Sequence, residues 1–257
     1  MAAHARVGSA DARRTSPFSA LRWALDRCVA VTYGLVYDLI VERFTPYRVL
    51  GAEVVGLVEA AAPAETPRRM VRVLDLGCGP GTFAVTLAAA GFSVIGIDRY
   101  APLLDVARET RRARGLTNLA FSKLETDAFA DGEFDQVVSI HGLYVHPAPE
   151  RVVVEAARVL KPGGHAIFVN HVGRFAPWAT FRAAVRSAGL FQALGTLLWL
   201  VPNSLFEAAR RPVGPHYWDE TEFRQKLTAA GFTVRELRRT FLAGGSLLVW
   251  ARNDAQA

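Results

Sequence analysis

The stretch that most constrains this chain runs from Val71 to Thr82, Val-Arg-Val-Leu-Asp-Leu-Gly-Cys-Gly-Pro-Gly-Thr. Val71 to Leu76 is a short apolar, β-branched run, the pattern of a strand buried on both faces of a parallel sheet. Gly77, Gly79 and Gly81 follow on alternate positions, and Phe83 to Ala90 then carries an apolar helical pattern. Glycine lets the backbone bend sharply and approach a ligand with no Cβ in the way. The helix start that follows leaves N–H groups free to meet that ligand. Strand, glycine turn and helix in this order make a nucleotide-binding unit.

Spacing narrows the choice of nucleotide. A dinucleotide fingerprint reads Gly-x-Gly-x-x-Gly and serves a pyrophosphate. Here the third glycine comes one residue early, and no Gly-Lys-Ser/Thr ending is present, which excludes a P-loop. Asp75-Leu-Gly-Cys-Gly-Pro-Gly81 resembles the first motif of the class I S-adenosylmethionine (SAM)-dependent methyltransferases. That family binds a ligand with an amino-acid end instead of a pyrophosphate, so an acid before the turn is chemically sensible. The resemblance covers roughly Val71 to Arg252. It implies an α/β fold with a Rossmann-like seven-stranded sheet, six strands parallel and the last antiparallel. It also implies SAM as cofactor, with Asp75, Gly77, Cys78, Gly79 and Gly81 around its methionine part.

The rest of the chain supplies partners for this unit. Ser93 to Ile97 reads as strand two and ends in Asp98-Arg99; an acid there hydrogen-bonds ribose hydroxyls in nucleotide-binding α/β folds. Pro102 suits the first position of the helix that runs to Arg114. Leu119 to Leu124 is strand three, and the resemblance places adenine on the following Thr126-Asp127-Ala128. A turn from Asp131 leads into strand four, whose end puts Ser139, Ile140 and His141 beside the reacting group. Pro147 to Leu160 is expected to be a helix. Lys161-Pro162-Gly163-Gly164 is a tight turn into strand five, His165 to Asn170, and Glu155 to Gly164 matches the family segment closely. Asp219 and Glu222 make a capping-box-like helix start, Gly231 ends that helix, and Thr233–Phe241 with Leu247–Arg252 form a terminal hairpin.

Three regions flank or interrupt the core, which spans 70–257. Residues 1–17 are small, polar and arginine-bearing without an apolar stretch, and read as a disordered leader. Residues 18–69 read as helices closing in Gly51–Ala62 and a linker, Pro63–Arg69. Tyr33 and Tyr37 lie one helical turn apart there; they either pack on the core or, as the resemblance implies, belong to a lid over the cofactor. The segment 171–215 is an apolar, aromatic insertion after strand five, where this family builds its substrate pocket. Trp178 is its candidate contact, beside His171 and His216 at the two ends. A buried helix, a dimer face or a peripheral membrane contact fits the same composition.

Composition limits the remaining classes. The chain has 257 residues, 51% hydrophobic and 21% charged, enough for one α/β domain with additions. Two cysteines cannot build a disulfide framework, and no metal-ligand spacing surrounds them, so no metal is expected and a reducing, cytoplasmic setting is. Net charge is +6, but the arginines are scattered and no basic–aromatic motif accompanies them, which argues against a nucleic-acid partner. No Asn-Pro-Pro-Tyr motif follows strand four, which argues against methylation of base or glutamine amino groups.

Methyl transfer from SAM needs alignment in a dry cavity, and a base only when the acceptor carries a proton at neutral pH. His141 and His146 are the candidate bases; O- or C-methylation of a small lipophilic or aromatic acceptor is the favoured reaction. A non-catalytic SAM-binding regulator and an NAD-dependent oxidoreductase are the rivals, the latter opposed by the early third glycine and the lack of a Tyr-x-x-x-Lys pair.

Overall fold

The computed structural model describes residues 45–123, 126–173, 216–242 and 244–254, with isolated positions between 178 and 194. The expected leader, Tyr33, Tyr37 and most of the insertion lie outside the described residues.

Among the described residues the elements are α1 (Thr45–Ala60), β1 (Arg72–Leu76), α2 (Thr82–Ala89), β2 (Ser93–Ile97), α3 (Ala101–Ala113), β3 (Leu119–Ser122) and β4 (Phe134–Ile140), then α4 (Pro149–Val159), β5 (Leu160–His171), α5 (Glu220–Ala229), β6 (Phe232–Thr240) and β7 (Ser246–Asn253). The seven strands form one sheet in the order β3-β2-β1-β4-β5-β7-β6. β7 is antiparallel to both β5 and β6, and the other pairings are parallel, so six strands share one direction and the last opposes them.

Strand side chains alternate between two apolar layers, as a period of two requires. Val73, Val138 and Ile167 face the layer that holds α1, α2 and α3, with Leu50, Val54, Leu87, Phe92 and Leu104. Their neighbours Leu74, Val137 and Phe168 face the layer of α4 and α5, with Phe134, Val153, Leu160, Phe223 and Leu227. The result is a sheet covered by helices on both sides, so both faces of each central strand are dry. Each large side chain buried this way contributes about 1.5–3 kcal/mol.

Several expected boundaries move. α1, described from Thr45, ends at Ala60, two residues before the expected Ala62, and the expected linker runs into a 3-10 turn at Arg68–Met70. Pro102 is the second residue of α3, because Ala101 already has helical geometry after Tyr100. The expected turn at Lys161–Gly164 lies within β5: Leu160 pairs with Phe134 before a register shift, and His165 resumes the ladder against Gln136. α4 starts at Pro149, two residues after the expected Pro147. The capping box of α5 is present: Asp219 Oδ1 accepts from the Glu222 N–H at 2.8 Å, and Glu222 Oε2 accepts from the Asp219 N–H at 3.2 Å.

Candidate active site

The sheet order reverses between β1 and β4: from β1 the chain adds β2 and β3 on one side, then crosses back to β4. Ligands of open α/β sheets bind beyond the strand ends at such a point. A cleft of about 610 Å³ lies there, and one end of it is built from the glycine turn. Gly77, Gly79 and Gly81 have φ of 72°, 54° and 84°. At Gly81 a Cβ would stand 2.5 Å from Phe121 Cζ and 2.9 Å from Ala107 Cβ, so the turn can pack on β3 and α3 only without a side chain.

Two carboxylates serve this end differently. Asp98 anchors the loops: its Oδ2 accepts from the Gly79 N–H at 2.9 Å and its Oδ1 from the Tyr100 N–H at 2.8 Å. Its pKa is raised by burial, against the opposing hydrogen bonds of Tyr100, Gly79 and Arg99. Asp75 is 2% exposed, and its Oδ2 is buried without a partner, as is Thr82 Oγ1. Burial, and then the nearby Asp98 charge, push the Asp75 pKa up to about 7. Cys78 also lines the cleft; burial, with Asp75 and Asp98 beside it, raises its thiol well above the ordinary range, so it packs rather than reacts.

The remaining candidates divide. Arg99, Thr126 and Ser139 line the cleft. Ser139 donates to the Leu76 carbonyl at 2.8 Å, tying the ends of β1 and β4 together. Thr126 begins a 3-10 turn held by Arg158, which donates to the Thr126 and Phe129 carbonyls at 2.8 and 3.0 Å. Asp127 and Ala128 stand on that turn but are exposed and outside the cleft lining.

Beside the turn, with Gly142 packed against Gly77, the cleft gathers histidines. His141 follows β4 with φ 54°, a left-handed conformation uncommon outside glycine, and its N–H donates to the Val169 carbonyl at 2.7 Å. Its ring stacks on that of His171 with centroids 4.0 Å apart and planes 6° from parallel. Ser246 Oγ bridges the two rings, 3.0 Å from His141 Nε2 and 3.1 Å from His171 Nδ1. His141 Nδ1 is buried without a partner. Burial, and then the neighbouring His171, hold the His141 pKa well below 6.5. Burial lowers His171 to about 4, partly offset by a hydrogen bond with the Gly245 backbone. Tyr144 meets the His171 ring edge-on at 4.8 Å, while Tyr47 and Phe241 pack against His141. His146 lines the cleft, with its Nδ1 accepting from the Ala148 N–H at 3.1 Å.

His216 and Trp178 are not brought to this cleft. His216 contributes backbone bonds, its N–H to the Tyr144 carbonyl and its carbonyl to Asn170 Nδ2. Trp178 is 69% exposed and stacks on Phe181 at 5.8 Å. Ser246, Tyr47 and Tyr144 were not singled out by the sequence. The local signals were slight: Gly244-Gly245 just before Ser246, and the candidate His146 two residues after Tyr144.

A family model described as a methyltransferase domain matches residues 74–168, from β1 through most of β5. A ubiquinone biosynthesis O-methyltransferase of Methylococcus capsulatus is 40% identical over 100 residues, 38% of this chain and 42% of that protein. Its counterpart in Pectobacterium atrosepticum is 31% identical over 163 residues, 60% of this chain and 63% of that protein. Among solved structures, magnesium protoporphyrin IX methyltransferase from Synechocystis PCC 6803, with bound SAH, covers 90% of this chain and 99% of its own at TM-score 0.61 and 15% identity. Residues 74–168 carry a methyltransferase domain, on the fold of the class I SAM-dependent enzymes. The chain spans about two fifths to two thirds of the length of these two relatives.

The residues of this methyltransferase domain fit its cofactor. The unpartnered oxygens of Asp75 and Thr82 suit the donors of an amino-acid end, and an ammonium there would return Asp75 to its ionised form. The lone pairs that Asp98 does not spend on Gly79 and Tyr100 suit a ribose diol. Thr126, held by Arg158, lies where the resemblance puts adenine.

Proposed function

We propose that this chain methylates a hydroxyl group on a small apolar acceptor of phenol or quinol type, with SAM as donor. The observation that carries the reading is His141 Nδ1: a buried, unpartnered ring nitrogen on a neutral imidazole that lines the same cleft as the glycine turn. The ubiquinone O-methyltransferase relatives support the same acceptor chemistry. Trp178, exposed outside the cleft and stacked on the partly buried Phe181, supports an interfacial role for the insertion. The cytoplasm is the setting this reading takes, since two cysteines build no disulfide framework, and a small molecule rather than nucleic acid is its partner. No helix among the described residues is long and apolar enough to cross a membrane.

SAM supplies a methyl group on a positively charged sulfur, which keeps the bonding electron pair and leaves neutral. The protein's part is to position and to keep water out. Tyr47 and Tyr144 line the cleft beside the histidines, with Phe241 packed on His141, so an aromatic acceptor finds tyrosine rings there. The timing of proton loss follows from the pKa values. Burial and the neighbouring His171 hold the His141 pKa well below 6.5, so a phenol proton of pKa about 10 does not settle on that ring in advance. The proton therefore moves as the oxygen–methyl bond forms, when the oxygen becomes strongly acidic, and a weakly basic but well-placed nitrogen suffices.

The test uses radiolabelled-methyl SAM with host extract, partitioned into organic and aqueous fractions. Label in the organic phase that is lost with Asp98→Ala supports the reading. Label confined to amines or to polar products overturns the acceptor class, and no label despite SAM binding favours the non-catalytic rival.

A further inference from the structure

Ser246 lies 105 residues from His141 and 75 from His171, yet its side chain is the one that joins them. It is fully buried, at the start of β7, and its placement follows from the β5–β7 register, which sets His171 directly opposite Ser246. A hydroxyl has one proton to donate, so a serine between two ring nitrogens must donate to one and accept from the other. Its rotation thus links the tautomers of both rings. When Ser246 accepts from His141 Nε2–H, His141 Nδ1 is bare and Ser246 donates to His171 Nδ1. When it turns round, His141 Nδ1 carries the proton.

We propose that His141, Ser246 and His171 form a hydroxyl-bridged proton relay, in which Ser246 sets the tautomer of His141 and passes its surplus proton to His171. The proposal rests on the acceptor reading above only for its activity arm. As the acceptor oxygen takes the methyl group, its O–H bond breaks and the proton joins His141 Nδ1. The Nε2 proton of His141 passes to Ser246 Oγ, and the Ser246 hydroxyl proton passes to His171 Nδ1. The net change is one proton moved from the acceptor oxygen to His171, with His141 and Ser246 each as protonated as before. The charge comes to rest on the second ring of the stack and not on the one nearest the reacting oxygen. Stacking at 4.0 Å gives that arrangement its economy, since two adjacent imidazoles cannot both be cationic and share one proton instead. Tyr47 on α1 and Tyr144 after β4 are the titratable groups facing the pair; Phe241 is apolar, and no charged side chain among the described residues shifts either ring apart from the two histidines themselves.

Ser246 and His171 are on this account positioning residues for His141, and two measurements separate relay from packing. The first is ¹⁵N NMR of histidine-labelled full-length protein, which needs no acceptor. A His141 ring that carries its proton on Nε2 in the parent protein, and changes or mixes tautomer in Ser246→Ala, supports the relay. A His141 tautomer that Ser246→Ala leaves unchanged overturns it, whatever the acceptor is. The second is the pH dependence of methyl transfer to 4-hexylcatechol as probe. Ser246→Ala and His141→Asn, the latter chosen because asparagine tolerates the left-handed backbone at that position, should lose about 100-fold in kcat at pH 7 with SAM affinity unchanged. The deficit should shrink as pH approaches about 10, where the catechol ionises itself. A deficit that is constant with pH means a packing role and overturns the relay. Absence of turnover by the parent protein counts against the acceptor reading and leaves the NMR result to decide the relay.

Discussion

The glycine part and the histidine part of the cleft are made in opposite ways. The glycine part comes from one contiguous turn plus the acid of the next strand, and its working groups are backbone amides and two carboxylates. The histidine part is assembled from side chains at the tips of β4, β5 and β7, and its groups are neutral rings and one hydroxyl. Burial acts on both with opposite signs. It raises the Asp75 pKa, keeping a proton on, and lowers His141 and His171, keeping a proton off. A cationic cofactor is thus met by a latent anion in one part and by groups that resist becoming cations in the other.

The contrast can be broken most severely at Gly81. Valine there would need φ near 84° and space already filled by Phe121, so Gly81→Val should lose roughly 3–5 kcal/mol of stability or fail to fold, read by urea unfolding. A full-length, cooperatively folded variant with parent stability would mean that the turn is not the rigid part of the site.

Titration sharpens the same contrast. The folded-state pKa of Asp75, about 7, lies above its ordinary 3.8, so between those values the folded protein holds a proton that the unfolded chain does not. Stability from this group therefore falls as pH rises from about 4 to 7, by up to about 4 kcal/mol. His171, lowered from 6.5 to about 4, works the other way, and stability is lost as pH falls through that window, by up to about 3 kcal/mol. His141 adds to the acid-side loss. The parent protein should therefore show a flatter stability profile than either variant. Asp75→Asn should expose the acid-side loss and His171→Gln the decline toward pH 7, both measured as urea midpoints from pH 4 to 8. Parallel profiles for all three proteins would dismiss the opposed titration.

Smaller effects are expected on the cofactor itself. Asp98→Ala removes the acceptor of two loop amides and should weaken SAM binding at least tenfold, about 1.4 kcal/mol, by calorimetry. Arg158→Ala frees the Thr126 turn and should weaken SAM binding only a few-fold, because the lost bonds position the turn and do not touch the ligand. An Arg158 effect larger than that of Asp98 would reverse the ranking of the two anchors.

This division also explains what could be read from the sequence. Asp75 to Gly81 and Asp98 announce themselves because spacing along the chain is spacing in the turn, and the seven strands with an antiparallel last one came with the resemblance that those residues carry. Ser246 does not announce itself: a serine after Gly244-Gly245 is an ordinary hairpin residue until the β5–β7 register sets it against His171. His141 was identifiable from its strand end, but not its ring stacking or left-handed backbone, which depend on β5 beside it. The β5 start was misjudged because Pro162-Gly163-Gly164 looks like a turn. The ladder in fact closes at Leu160 and shifts register across that segment.

One placement in the sheet has a consequence for biosynthesis. β7 is the last strand in the sequence but an interior strand in space, enclosed between β5 and β6. A nascent chain emerging from the ribosome thus possesses the whole glycine part long before the residue that couples the histidines. Translation stopped short of β7 would yield a product with β6 left without its neighbour, an unfilled slot in the sheet, and two imidazoles with no hydroxyl between them.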